Sequence, residues 1–138
     1  MRRMFMLLAL FAATCGYAQE DKVTPPQIAV KLVPGESVNI KGAEITFVEV
    51  LEDSRCPSSV DCIWNGRARV LLKIQPTGEE TTENIVIFGE LKEGEAHNNM
   101  LGLTSEYNLE VLGLQPYPSV PREELDYSLL IRKLKKED

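Results

Sequence analysis

AEITFVEVLEDSRCPSSVDCIWNGRARVLLKIQ, residues 43–75, carries the pattern on which the fold turns. It begins with a period of two. Ile45 and Phe47 fall on one side with Glu49 in step, and Thr46, Val48 and Val50 fall on the other. It ends with the same period, which puts Ala68, Val70, Leu72 and Ile74 in one row. Successive side chains of a strand point to opposite faces, so both flanks read as half-buried β-strands. Between them lies a polar insertion with two cysteines, the single tryptophan and a glycine.

The same period continues in both directions. QIAVKLV alternates Ile28, Val30 and Leu32, and VNIKG supplies Val38 and Ile40 after a PGES turn. ENIVIFG is a continuous apolar run after the PTGEE turn. YNLEVLGLQPY sets Leu109, Val111 and Gly113 against Leu112 and Leu114, and DYSLLIRKL closes with Tyr127, Leu129 and Ile131. About seven short strands punctuated by Gly, Pro and Asn point to an all-β protein. The expectation is a single small β-sandwich over residues 28–134, Ig-like or a related Greek-key arrangement. Residues 93–105 read as a longer loop or a weak strand, and 121–125 as one turn. The charged residues 135–138 form a tail that blunts an edge.

The beginning of the chain reads differently. MRRMFMLLALFAATCGYAQ has a basic start at Arg2 and Arg3, an apolar run from Met4 to Ala13, and small residues after it. That is the anatomy of a secretory signal peptide over residues 1–18, followed by a flexible polar lead-in at 19–27. The expected location is therefore exported, periplasmic or secreted, in a bacterial envelope. An alternative is lipid anchoring through Cys15. No later apolar run approaches the length of a transmembrane segment. The full chain has a net charge of −6. Cleavage after Ala18 removes Arg2 and Arg3 and would make it −8. An acidic surface argues against nucleic acid and anionic lipid as partners. The expected partner is a protein or another envelope ligand of unknown identity, and the oligomeric state is open.

Processing also leaves an even cysteine count, Cys56 and Cys62. Thiol redox catalysis favours C-x-x-C at a helix start, whereas here the spacing is C-x5-C between two strands. A structural zinc site needs more soft ligands than two cysteines and the lone His97, so no metal is expected. In an oxidising compartment the pair reads as a disulfide. Its loop-closure contribution is about 2 kcal/mol. Pro57, Ser58, Ser59 and Asp61 favour a compact turn inside it. Trp64 is expected as a plug on the sulfurs at one end of the sandwich, with a half-exposed binding platform as the alternative. Gly66 permits a positive-φ turn or bulge into the next strand. Arg55 and Arg67 flank the loop near Asp53 and Asp61. They read as surface ion pairs or, functionally, as part of a recognition surface.

Two stretches also carry a resemblance. EDSRCPSSVDCIWNGRARV resembles the D-S-R-C-P…C-x-W-x-G-x-x-x-V signature of an uncharacterised family of small secreted or lipoprotein-like bacterial proteins. Leu112, Leu114, Pro116, Tyr117 and Pro118, with Tyr127, Leu129 and Ile131, resemble its later L…L-x-P-Y-P…Y-x-L-x-I pattern. Together these stretches span roughly a third of the chain. The resemblance implies an exported β-sandwich and transfers no chemistry.

Nothing else assembles a catalytic set. Ser54, Ser58 and Ser59 would need His97 to fold back onto them. Glu79, Glu80, Glu83, Glu123 and Glu124 lie in hydrophilic turns and read as solvated charges. There is no phosphate loop or nucleotide motif, and no cofactor is expected. QPYPSVPREEL is stiffened by Pro116, Pro118 and Pro121. It reads as a crossover, or as an interaction edge with Tyr117 exposed. The chain is therefore expected to be a non-enzymatic binding or interaction module. Arg55, Trp64, Arg67 and Tyr117 are its candidate surface. Two alternatives remain at this point. One is a protease inhibitor presenting Arg55 on the disulfide loop, although the N-P-T-T-G and R-P-W motifs of sandwich-type cysteine-protease inhibitors are absent. The other is a small enzyme.

Overall fold

A computed structural model describes residues 28–137. The expected signal peptide, the lead-in, Cys15 and the last residue of the tail lie outside the described residues. Eight strands form: β1 (Val30–Leu32), β2 (Ser37–Ile40), β3 (Ala43–Asp53), β4 (Arg67–Pro76), β5 (Thr82–Gly89), β6 (Met100–Gly102), β7 (Tyr107–Gln115) and β8 (Ser128–Lys135). The eighth element is β6, three residues inside the segment that reads as loop or weak strand. β8 also runs one residue into the expected tail.

The strands make two antiparallel four-stranded sheets, β1-β8-β7-β6 and β2-β3-β4-β5. The chain meanders through the second sheet, then through β6, β7 and β8, and β1 pairs back onto β8. Around the sandwich the strands therefore follow chain order, a simpler path than a Greek-key crossing. One core fills the space between the sheets. Ile45, Phe47, Val70 and Leu72 from one sheet join Leu109, Val111, Leu129 and Ile131 from the other, all fully buried. The Ala68-Val70-Leu72-Ile74 row faces this core as its period predicts.

Bulges decide the faces elsewhere. In β3 the register slips between Phe47 and Glu49 and again between Val50 and Glu52. Plain alternation would send Glu49 and Leu51 inward behind Phe47. The first slip turns Glu49 outward and sets Val50 against the core; the second brings Asp53 opposite buried Ala68. In β7 the slip falls between Val111 and Gly113. It corrects the simple alternation, because Leu114 returns to the core face while Leu112 turns outward. An extra residue in one strand reverses the parity of everything after it.

Three long connections share one end of the sandwich: 54–66 between β3 and β4, 90–99 between β5 and β6, and 116–127 between β7 and β8. The other connections are short turns. That asymmetry positions the site.

Candidate functional site

Beyond the last β3–β4 pair the two chains stay in step. Ser54 N–H donates to Arg67 O at 2.8 Å and Cys56 N–H to Asn65 O at 2.9 Å. This close approach requires Gly66, whose φ is +71°. A Cβ there would sit 1.8 Å from the Ser54 carbonyl oxygen. Gly89 crosses directly above, and its own Cβ would fall 2.5 Å from Gly66 O. The Glu90 N–H donates to that same carbonyl at 3.2 Å. Two glycines thus let three backbones stack where side chains would hold them apart.

The Cys56–Cys62 disulfide closes the loop, with the Cα atoms 5.9 Å apart. The loop then docks on the proline-rich connection. Ser58 N–H donates to Pro118 O and Ser59 N–H to Ser119 O, both at 3.1 Å. The two stretches that stand out in the sequence are therefore one structural unit.

Arg55 is its hub. The guanidinium grips Asp53 with Nε to Oδ1 at 2.8 Å and Nη2 to Oδ2 at 2.6 Å. It also donates to Leu114 O at 2.9 Å and Pro116 O at 3.0 Å. The Tyr127 hydroxyl donates to Asp53 Oδ2 at 3.0 Å, and the Tyr117 ring lies 5.0 Å beneath the guanidinium carbon. Burial pushes the Asp53 carboxyl up, but the Arg55 hydrogen bonds and charge outweigh it and hold it below the usual carboxylate range. Burial and the Asp53 carboxylate push the Tyr127 hydroxyl up. The fork-on-fork geometry pairs the two charges directly.

Arg67 is buried and braces the third connection. Its Nε lies 3.1 Å from both Glu52 oxygens, and Nη1 lies 2.5 Å from Glu95 Oε2. The Arg67 hydrogen bond holds Glu52 below its ordinary range. Glu95 is held low first by the Lys92 N–H, which donates to it at 2.8 Å, and then by the Arg67 charge. The 90–99 connection is tied back onto the sheet in this way.

These positions revise the expected surface. Arg55 exposes 8% of its side chain and Arg67 exposes 3%, so neither stands out as a surface charge. Both are tied to carboxylates inside the fold: Arg55 to Asp53, and Arg67 to Glu95 and to Glu52, which Arg69 also approaches at 3.7 Å. Asp61 takes no part, and the carboxylates that matter are Asp53, Glu52 and Glu95. Arg55 is also not offered to a protease, which removes the residue on which the inhibitor alternative rested. Trp64 is not a core plug: it is 46% exposed. Tyr117 is exposed, as one of its two readings has it, and Val60, Ile63 and Val120 stand out beside these two on the same connections. A shallow depression of about 240 Å³ lies between Arg55, Gly66, Phe88, Leu114 and Tyr117.

The remaining chemistry is sparse. His97 is exposed, and its Nδ1 lies 3.5 Å from Ile87 O. The depressions it lines contain no serine or cysteine. Among the described residues no three of His, Cys, Asp and Glu converge as metal ligands, and no helix is long and apolar enough to cross a membrane. Sequence reasoning missed Glu52, Glu95 and the carbonyls of Leu114 and Pro116. Its one usable signal was the Y-P…Y pattern, which contains Tyr117 and Tyr127. Compared with known proteins, the chain matches no family model, no curated protein and no solved structure.

Proposed function

We propose that the protein is an exported, non-enzymatic binding module of the bacterial envelope, and that it engages a protein partner through the disulfide end of the sandwich. One observation carries this. Val60, Ile63, Trp64, Tyr117 and Val120 are all exposed, Ile63 completely so, on two connections that are cross-tied to each other. An exposed apolar group with two aromatics is what interface anchors look like. Holding it on a rigid base lowers the ordering cost of association. The disulfide is compatible with an oxidising compartment, and the resemblance to small secreted or lipoprotein-like proteins points the same way. Anchoring through Cys15 would tether the same surface to a membrane.

A photo-crosslinking residue placed at Trp64 in living cells tests this, with Glu79 at the opposite end as the control. A discrete adduct at Trp64 that is lost with Ile63→Asp supports the interface. Equal or absent adducts at both positions overturn it. Mass spectrometry of the mature chain tests export, and an intact residue 1–18 segment would refute it.

A further inference from the structure

The far end of the sandwich holds a second feature, unrelated to the disulfide end. At the open seam between the two sheets, β1 and β2 are edge strands of different sheets and do not pair. An apolar groove of about 350 Å³ runs along this seam, lined by Ile28, Val30, Val38 and Ile40. Two cations complete its wall: Lys41 from the β2–β3 turn and Lys133 from β8. The two ammonium groups approach one ring, Tyr107, at 5.4 and 5.9 Å. Among the described residues neither lysine forms an ion pair, although the chain carries 21 acidic residues against 15 basic ones.

Two ammonium groups held against one aromatic ring give this end of the groove a positive rim. The turn that carries one of them is unusual. Lys41 holds φ at +55° ahead of Gly42 at +82°, a two-residue turn in which Asn or Gly normally takes the first place. A lysine at positive φ and a second lysine, both lining one apolar groove and neither ion-paired among the described residues, form a composite site. Its cationic rim calls for an anionic head and its floor calls for a hydrocarbon chain.

We propose that this seam binds a single-chain anionic amphiphile, a fatty-acid-like molecule. Its carboxylate would sit between Lys41 and Lys133 and its chain would lie along Val30, Val38 and Ile40. The volume is near the low end of small-molecule sites, roughly 300–1,000 Å³, which favours one chain over two. Lys41 and Lys133 supply the charge complementarity, and Ile28, 82% exposed at the rim, would be covered by the chain.

Dodecanoate, titrated below its micelle concentration and followed by backbone amide shifts, tests the proposal. Saturable shifts are expected at Val38, Ile40, Lys41 and Lys133, with none at Trp64. Dodecanol and dodecyltrimethylammonium are the head-group controls, and each is expected to bind about tenfold or more weakly. Lys41→Ala/Lys133→Ala should weaken dodecanoate about tenfold while leaving dodecanol unchanged. Ile28→Glu, at a position too exposed to affect folding, should weaken dodecanoate as well. The site is overturned by no saturable shift, by shifts centred on Trp64, or by equal affinity for the three head groups. Binding to vesicles of anionic phospholipid without binding of free dodecanoate would also overturn it, in favour of a membrane surface.

Discussion

Replacing Arg55 by Met isolates one of the two buried arginine–carboxylate pairings at the disulfide end. Methionine keeps an apolar stem over Tyr117 but removes the charge and all four side-chain hydrogen bonds. Asp53, whose side chain is 9% exposed, is left as a buried carboxylate with the Tyr127 hydroxyl as its remaining side-chain donor. Breaking a buried pair from one side costs about 3–5 kcal/mol. The residual exposure and the Tyr127 bond place this case at the lower end, about 3 kcal/mol. For a domain of this size that corresponds to a fall of roughly 10–15 °C in Tm. The companion variant Arg55→Met/Asp53→Leu buries neither charge and should recover most of the loss, to within about 1.5 kcal/mol of the parent.

The pH dependence has a definite sign. In the parent, Asp53 is held below its unfolded value of about 3.9. Its contribution is therefore complete above that value and is lost as pH falls through the lower folded one. In Arg55→Met the partner that lowered it is gone and burial raises the carboxyl instead. Protonation then relieves the variant, so the gap to the parent should narrow from pH 7 toward pH 4. Chemical denaturation followed by circular dichroism at several pH values measures both effects. A loss under about 1 kcal/mol, or a gap that does not change with pH, would refute the hub role of Arg55.

Other consequences are simpler. Gly66→Ala should cost about 3 kcal/mol or more, because its Cβ meets the Ser54 carbonyl. Gly78→Ala, also at positive φ but in open space, should cost only about 1 kcal/mol. Denaturant midpoints of the two variants make the comparison. Cys56→Ser/Cys62→Ser should lose about 2 kcal/mol by loop closure and open the 57–61 segment to limited proteolysis without disrupting the core. Trp64→Ala should change stability by less than about 1 kcal/mol, and the native indole should be quenched readily by iodide. An indole shielded from iodide would mean that it packs inward after all.

Much of the architecture was legible from local pattern. Ala68, Val70, Leu72 and Ile74 announce a strand and its buried face because alternation is a property of the backbone itself. The C-x5-C spacing between two such strands, behind an apparent export signal, announces a disulfide. Alternation gave the wrong face for Leu114 and left Glu49 facing inward, because a bulge is one residue of slip that only the partner strand reveals. β6 was ambiguous because three residues carry too little period to distinguish strand from loop.

The site was less legible than the fold. Arg55 and Arg67 look like solvated surface charges in the sequence, where long basic side chains usually sit. They are buried because their partners come from elsewhere: Leu114 and Pro116 lie more than fifty positions away, and Glu95 lies across another connection. Trp64 looks like a core residue because tryptophan is large and apolar, yet it stands about half exposed on the disulfide connection. By itself, then, the sequence determined the seven longer-patterned strands, the inner rows where no bulge intervenes, and the cysteine pair, all of which follow from short-range period and spacing. Only the tertiary structure decided which charges are internal, which aromatic rings face solvent, and that two distant motifs form one platform. Burial and ion pairing are properties of what lies across the gap, and no local stretch of chain contains that information.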